Sequence, residues 1–219
     1  MRFRIDLKIF IFLILFYFTK QIHIYALIMI FAFIHELGHL FAGILTGMRP
    51  EKLEIKPYGV RVSFKLFPKD YNVKIGKGNK LETKKILVAL AGPITNLLII
   101  LVTSNLQIEI FTKLMIIYSN ILIFIFNLIP IYPLDGGRIL KSILHITYGK
   151  RRSEKYINNI SFITLIIVTF LSSILIYIIE NIAIFLIVIV LWIMYITEDI
   201  KYKRKLEIYK LLEKSIEIN

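Results

Sequence analysis

The sequence predicts an all-α polytopic membrane protein with about six transmembrane helices and a small membrane-associated β-hairpin between helices 2 and 3. Of its 219 residues 57% are hydrophobic, which is too apolar for an ordinary soluble domain. Long uncharged runs alternate with basic segments, and a membrane-spanning helix needs roughly 20 predominantly apolar residues. A short stretch between the second and third apolar runs instead shows the alternation of a strand.

Six apolar segments account for the predicted spans. Uncharged runs of 23, 21 and 24 residues form the centres of the third, fourth and fifth, and Glu36 is the single charged residue inside the second. The first and last segments are short. The predicted spans are 6–19, 22–47, 84–104, 112–131, 157–179 and 182–197.

The first apolar segment also has the basic start and apolar centre of a signal peptide. Small residues of the kind that precede a cleavage site are missing, because the segment is followed by Thr19-Lys20-Gln21-Ile22. A retained first span is therefore the favoured interpretation.

Basic residues predict the orientation in the cell membrane. With a cytoplasmic N-terminus, 26 of the 28 Lys and Arg residues fall in the inner segments, 1–8, 48–85, 138–155 and 198–219. This bias places both termini in the cytoplasm.

The net charge of +13 is then explained by basic segments beside the anionic lipid bilayer, and no nucleic-acid partner is expected. The lack of cysteine excludes disulfides and thiolate metal ligands.

Three segments outside the spans have their own patterns. Residues 53–66 alternate between apolar and polar around Pro57-Tyr58-Gly59, which predicts a half-buried β-hairpin, the alternative being a plain cytoplasmic loop. Residues 74–80 are predicted to be a mobile basic linker. The tail, 198–219, follows the six-span domain of residues 1–197 and predicts a short amphipathic helix near the membrane surface.

The strongest chemical signal is His35-Glu36-Leu37-Gly38-His39 in the second span. Side chains at positions i and i+4 of a helix share one face, so both imidazoles can hold one metal ion. Glu36 can then accept a proton from water at the open position of the ion. The alternative is two satisfied interhelical histidines with a buried glutamate that pairs with a lysine, although polar side chains inside an apolar span usually face a cavity or a partner.

Zinc bound by two histidines and one carboxylate keeps its fourth position for water, so a third ligand is needed. Glu109 and Glu180 lie on the outer side in the predicted topology, whereas the two histidines lie in the inner half of span 2. Asp135 follows span 4 on the inner side, in a Pro- and Gly-rich break at 127–138 that could line a cavity. It is the favoured ligand, and His145 is its rival.

The order and spacing of three motifs resemble the site-2 protease family of intramembrane zinc metalloproteases, peptidase family M50. The motifs are HELGH at 35–39, AGPITN at 91–96 and NLIPIYPLDGGR at 127–138. The resemblance covers about residues 25–200 and is greatest to the compact six-span bacterial branch of stage IV sporulation protein FB. The sporulation protein carries a C-terminal nucleotide-sensing domain, for which the 22 residues after span 6 are too few, so nucleotide control is not expected. No inserted PDZ domain is expected either.

The resemblance implies a metalloendopeptidase with one Zn²⁺ per chain, held by His35, His39 and Asp135, with Glu36 as the base. It also implies that Asn127, with Asn96 as a further candidate, holds the substrate or the oxyanion.

The expected substrate is a membrane-associated protein that is cut near the cytoplasmic side, such as a membrane-tethered transcription factor or a pro-sigma factor in sporulation. The 53–66 hairpin would receive the unwound substrate, and an integral membrane inhibitor is a further candidate partner.

Two other classes of function stay open. A membrane metal transporter would need several polar spans along a path, and spans 5 and 6 offer only Ser, Thr and Asn in their cores. A non-catalytic metal-binding scaffold needs no glutamate between the histidines. Both are weaker explanations than a protease.

Overall fold

The computed structural model describes residues 2–5, 9–18, 20, 22–56, 59–65, 75–179 and 183–217. It is mostly helical with one small sheet, as predicted. The strands are β1 (Arg2–Ile5), β2 (Arg49–Lys56) and β3 (Gly59–Lys65); the helices are α1 (Ile9–Phe18), α2 (Ile22–Leu45), α3 (Ile75–Asn105), α4 (Ile110–Leu128), α5 (Asp135–Tyr148), α6 (Lys150–Ile179) and α7 (Ala183–Glu217). The chain divides into two compact units, Met1–Leu128 and Ile129–Asn219.

Among the described residues, four helices are long and apolar enough to cross a membrane: Ile22–Leu45, Asn79–Asn105, Ile110–Leu128 and Lys150–Ile178. They coincide with predicted spans 2 to 5. Predicted span 1 falls on α1, which has ten residues, and predicted span 6 falls on the first part of α7. Large apolar side chains on these helices point outward, as lipid-facing residues do. The full count of six spans stays a prediction.

In the first unit, α2 packs against α3 and α4. Small residues allow the closest approach, which occurs at Gly38 inside the HELGH motif. A Cβ added there would collide with Thr95 Oγ1 and would lie 3.0 Å from the Ala91 carbonyl oxygen. Helices in membranes associate through such small residues, because the backbones can then come near enough for dense packing.

The sheet of the first unit has the order β1-β2-β3. The antiparallel pair β2–β3, with Leu53 opposite Val62, confirms the predicted hairpin and extends it to Arg49. The turn residues 57 and 58 lie outside the described residues. Strand β1 pairs parallel to β2 and was not predicted, since a four-residue strand with a partner 50 residues away leaves no local pattern.

In the second unit, α5 packs on α6 and α6 packs on α7. Helix α5 covers most of the basic segment after the fourth span, and Gly149, at φ +79°, separates it from α6. Lys205 of α7 forms an ion pair of 2.8 Å with buried Glu154 of α6. Burial acts to lower the pKa of Lys205, but the hydrogen bond and charge of Glu154 outweigh it and the pKa is raised.

Two segments differ from their sequence-based descriptions. Residues 75–80 are the start of α3, so the prediction of a mobile linker there is wrong. A helix that is already formed extends by one hydrogen bond for each added residue, which offsets the low helix propensity of Gly76 and Gly78. The tail is helical through Glu217, but it continues α7 without a break.

Candidate metal and catalytic centre

Helix α2 brings the imidazoles of His35 and His39 together inside the first unit. Their Nε2 atoms lie 3.1 Å apart, and the residues are only 3% and 2% exposed. The four-residue spacing produces this proximity, as the sequence predicted.

The hydrogen bonds of the two Nδ1 atoms indicate which ring nitrogen carries the proton in each histidine. His39 Nδ1 lies 2.7 Å from the Val88 carbonyl oxygen, and His35 Nδ1 contacts Asn96 Oδ1. Both partners accept hydrogen bonds, so both imidazoles carry their proton on Nδ1. In the neutral form each imidazole then has its lone pair on Nε2, and the two Nε2 atoms lie 3.1 Å apart.

This arrangement fits a bound zinc ion. In neutral imidazoles with the proton on Nδ1, each Nε2 atom carries a lone pair 3.1 Å from the other, and a cation shared by the two nitrogens would offset their mutual repulsion. Tetrahedral zinc with Zn–N bonds of about 2.05 Å places two ligand nitrogens about 3.3 Å apart. Histidine ligands also typically donate their second N–H to a carbonyl or a carboxylate, as these do to a carbonyl and an amide oxygen.

Gly92 of α3 leaves open the space next to both Nε2 atoms. A Cβ at this position would lie 2.5 Å from His35 Nε2 and closer still to His39 Nε2. A zinc ion bound to both nitrogens would need space beside the same two atoms. The glycine of the AGPITN motif thus gives the site its room.

Glu36 is buried, 8% exposed, on the same helix as the histidines. Its Oε2 accepts a hydrogen bond of 2.9 Å from the backbone N–H of Val62 in β3. Gly43, two turns further along α2, makes room for the ring of Phe64, so that β3 lies directly against the helix. The sheet therefore holds the carboxylate in place through a backbone donor.

Asp135 is the first residue of α5 in the second unit and is 3% exposed. Arg138, one turn along, donates from Nη1 to Asp135 Oδ1 at 3.2 Å. A Cβ on Gly137 would lie 2.5 Å from the backbone of Ile131, so the glycine lets the first turn of α5 pack on the preceding Pro-rich segment. The helix N-terminus favours the negative charge of the carboxylate.

The other predicted residues lie in three different settings. Asn127 is near the end of α4 and donates from Nδ2 to the Ile123 carbonyl oxygen at 3.1 Å. His145 lies in the last turn of α5, at the opposite end of that helix from Asp135. Asn96 is fully buried, and its carboxamide contacts His35 and Asn120.

Three features of the site were given no individual role in the sequence-based analysis: Gly92, Asn120 and the backbone N–H of Val62. An asparagine inside an apolar span is unusual enough to mark as a candidate, whereas glycine is common in membrane helices. The partners of all three features depend on which faces of α3, α4 and β3 meet α2, and a single sequence does not contain that information.

Comparison with known proteins identifies the family. The sequence model of peptidase family M50 matches residues 23–110 and 103–171. The chain belongs to peptidase family M50. A zinc metalloprotease of Methanocaldococcus jannaschii is 30% identical over 145 residues, which are 63% of this chain and 39% of that protein. Stage IV sporulation protein FB of Bacillus subtilis is 26% identical over 122 residues, 52% of this chain and 37% of that protein.

The M50 chain therefore spans about two fifths of the length of the curated relatives that it matches. Among solved structures, a site-2 protease from Methanocaldococcus jannaschii superposes with a TM-score of 0.62 at 23% identity. That match covers 89% of this chain and 88% of the other, so the two share a fold over nearly their whole length.

Proposed function

We propose that the protein is an intramembrane zinc metalloprotease that hydrolyses a peptide bond of a membrane-associated protein near the cytoplasmic side. One observation carries the proposal: two buried imidazoles of an M50 chain bring their Nε2 atoms within 3.1 Å of each other, while their Nδ1 atoms contact hydrogen-bond acceptors. Glu36, which follows the first of them in sequence, is buried and accepts a hydrogen bond from the Val62 N–H. A metal transporter or scaffold would not need that carboxylate.

His35, His39 and Asp135 are the proposed ligands of one Zn²⁺. Among the residues that the structure describes, they offer two imidazole nitrogens and one carboxylate, a set that could hold a metal ion. All three are buried. His145 is the weaker choice, because ten residues of helix separate it from Asp135 by about 15 Å.

Zinc analysis of two purified variants tests the third ligand. Asp135→Ala should lower zinc occupancy strongly, because two imidazoles alone hold the ion loosely. His145→Ala should retain the occupancy of the wild type. If the two results are reversed, His145 is the ligand and the proposed site is incorrect.

The bound ion would supply Lewis-acid activation of water and of the scissile carbonyl. Glu36 accepts a proton from the attacking water as the water oxygen bonds to the carbonyl carbon. It then passes that proton to the amine nitrogen as the C–N bond breaks. Since Oε2 is held by Val62, we expect Oε1 to carry the proton. Asn127 is proposed to hold the substrate or the oxyanion.

Strand β3 is proposed to present the substrate. A transmembrane helix hides its carbonyls in internal hydrogen bonds, so the scissile region must unwind and become extended. β3 is the last strand in the order β1-β2-β3, and an exposed strand edge can pair with an extended peptide. Because β3 also contacts Glu36 through Val62, a substrate on this edge would lie close to the base.

Val62→Pro should reduce cleavage about ten-fold or more, since it removes an N–H donated to a carboxylate and disturbs the strand edge. Zinc content and membrane insertion should be unchanged. Lys77→Pro is the matched control, because Lys77 lies in the first turn of α3, where proline is tolerated. Equal cleavage by both variants would show that β3 neither holds Glu36 nor receives substrate.

The protein is proposed to be a multi-pass protein of the cell membrane. Both of its termini are proposed to face the cytoplasm. A reporter that is active only outside the membrane, fused after Asn219, should give no signal. A strong signal would overturn the orientation and the six-span count.

Co-expression tests the function as a whole. The partners that we propose are a membrane-tethered transcription factor or a pro-sigma factor as substrate, and an integral membrane inhibitor. Tethered candidates carrying a cytoplasmic tag should release a shortened tagged fragment only when the protein is present. If every candidate stays full-length and membrane-bound when the protein is present, the result would argue against a protease.

A further inference from the structure

Two buried asparagines connect the backbone of α4 to His35. Asn120 donates from Nδ2 to the Ile116 carbonyl oxygen at 2.9 Å, and Asn96 donates from Nδ2 to Asn120 Oδ1 at 2.8 Å. Asn96 Oδ1 in turn accepts the hydrogen bond of His35 Nδ1. Both asparagines are 0% exposed, so water does not reach their polar atoms, and these bonds are what satisfies them.

The direction of every bond follows from the first one. A backbone carbonyl only accepts, so Asn120 must turn its NH₂ group toward Ile116 and its oxygen toward Asn96. Asn96 must therefore turn its own NH₂ toward Asn120 and its oxygen toward His35. An oxygen at that position requires the proton of His35 on Nδ1, and the lone pair is then on Nε2.

The two histidines thus obtain the same protonation by different means. His39 donates directly to the backbone carbonyl of Val88, which cannot rotate out of the helix. His35 donates to a side-chain amide, which can rotate by half a turn and exchange its oxygen for a donor. The second asparagine removes that freedom.

We propose that Asn120 is a positioning residue of the metal site. By fixing the carboxamide of Asn96, it holds His35 in the form whose Nε2 can bind a metal ion. Asn96, which the sequence suggested as a substrate contact, then acts on His35. This inference rests on the zinc site proposed above, and it adds a residue from a third helix, α4, to the two helices that surround the histidine pair.

Zinc affinity of the purified full chain in detergent, measured by competition with a chromophoric chelator, tests the proposal without any substrate. Asn120→Leu should weaken Zn²⁺ binding about 10- to 100-fold, the range seen when the partner of a ligating histidine is removed. The Asn96 carboxamide could then turn its NH₂ toward His35 and favour the proton on Nε2. Ile123→Ala, which removes buried packing from the same helix, should leave zinc affinity unchanged.

A double-variant comparison separates orientation from packing. In an Asn96→Asp background both carboxylate oxygens accept, so Asn120 turns its NH₂ group toward one of them, and His35 keeps its Nδ1 proton whichever way the carboxylate is turned. There Asn120→Leu should change zinc affinity by no more than about two-fold, the usual error of additivity. Should the leucine variant fail to fold, Asn120→Ala replaces it, because alanine also removes the side-chain oxygen that accepts from Asn96 Nδ2.

Each outcome decides between the explanations. The proposal is supported if Asn120→Leu lowers zinc affinity strongly when residue 96 is Asn and only slightly when residue 96 is Asp. Equal losses in both backgrounds assign Asn120 to packing and overturn it, as does wild-type affinity in the single variant. If the wild type itself binds no Zn²⁺, the proposed function fails together with this inference.

Discussion

Glu36→Gln is expected to lower the rate of cleavage about 10²- to 10⁴-fold, the usual contribution of a positioned general acid–base group. The amide cannot accept a proton from water, yet it has nearly the size of the carboxylate and can still accept the Val62 N–H. The zinc content should equal that of the wild type, because Glu36 is not a proposed ligand. Initial rates and metal content should be measured on the same purified preparation.

Glu82→Gln is a suitable control for the glutamate substitution. Glu82 is also buried, 4% exposed, but it pairs with Lys85 on the same helix, α3, and has no proposed part in catalysis. The Glu82→Gln variant should cleave the substrate at close to the wild-type rate. Substantial cleavage by Glu36→Gln would refute the role of this residue as base, and loss of zinc from it would suggest that the carboxylate is a ligand.

Gly92→Ala is expected to give the largest loss of metal from a single methyl group. The added Cβ would lie 2.5 Å from His35 Nε2, in the space that an ion shared by the two histidines needs. A movement of α3 away from α2 would give up the close packing around Gly38. Zinc affinity should fall by at least about 100-fold, the upper end of the effect of altering a residue around a metal ligand.

Leu98→Ala, an exposed position on the same helix, should bind zinc as the wild type does. Gly92→Ala with full zinc occupancy would mean that the ion is held away from this face of the two histidines. The shared-ion interpretation of the Nε2 pair would then be incorrect.

Local patterns in the sequence were enough to predict the histidine pair and the hairpin. The i, i+4 spacing of His35 and His39 determines that their side chains meet, whatever surrounds them. The alternation in residues 53–66 likewise depends only on neighbours in the sequence. The apolar runs located the four long apolar helices for the same reason.

Contacts between distant segments could not be predicted in this way. Strand β1 forms only because β2 offers it an edge. Asn96 was a candidate only through the family resemblance, and its buried position against His35 depends on how α3 packs on α2. The helical state of residues 75–80 depends on the span that follows them, so their own composition was misleading.

Zinc dependence of cleavage is the most direct test of the central claim. The purified protein should be reconstituted in lipid vesicles with a tethered substrate identified by co-expression, stripped with a chelator, and then supplied with one equivalent of Zn²⁺. We expect cleavage to stop when zinc is removed and to return when it is restored. Cleavage that continues in the stripped protein at the original rate would contradict the account.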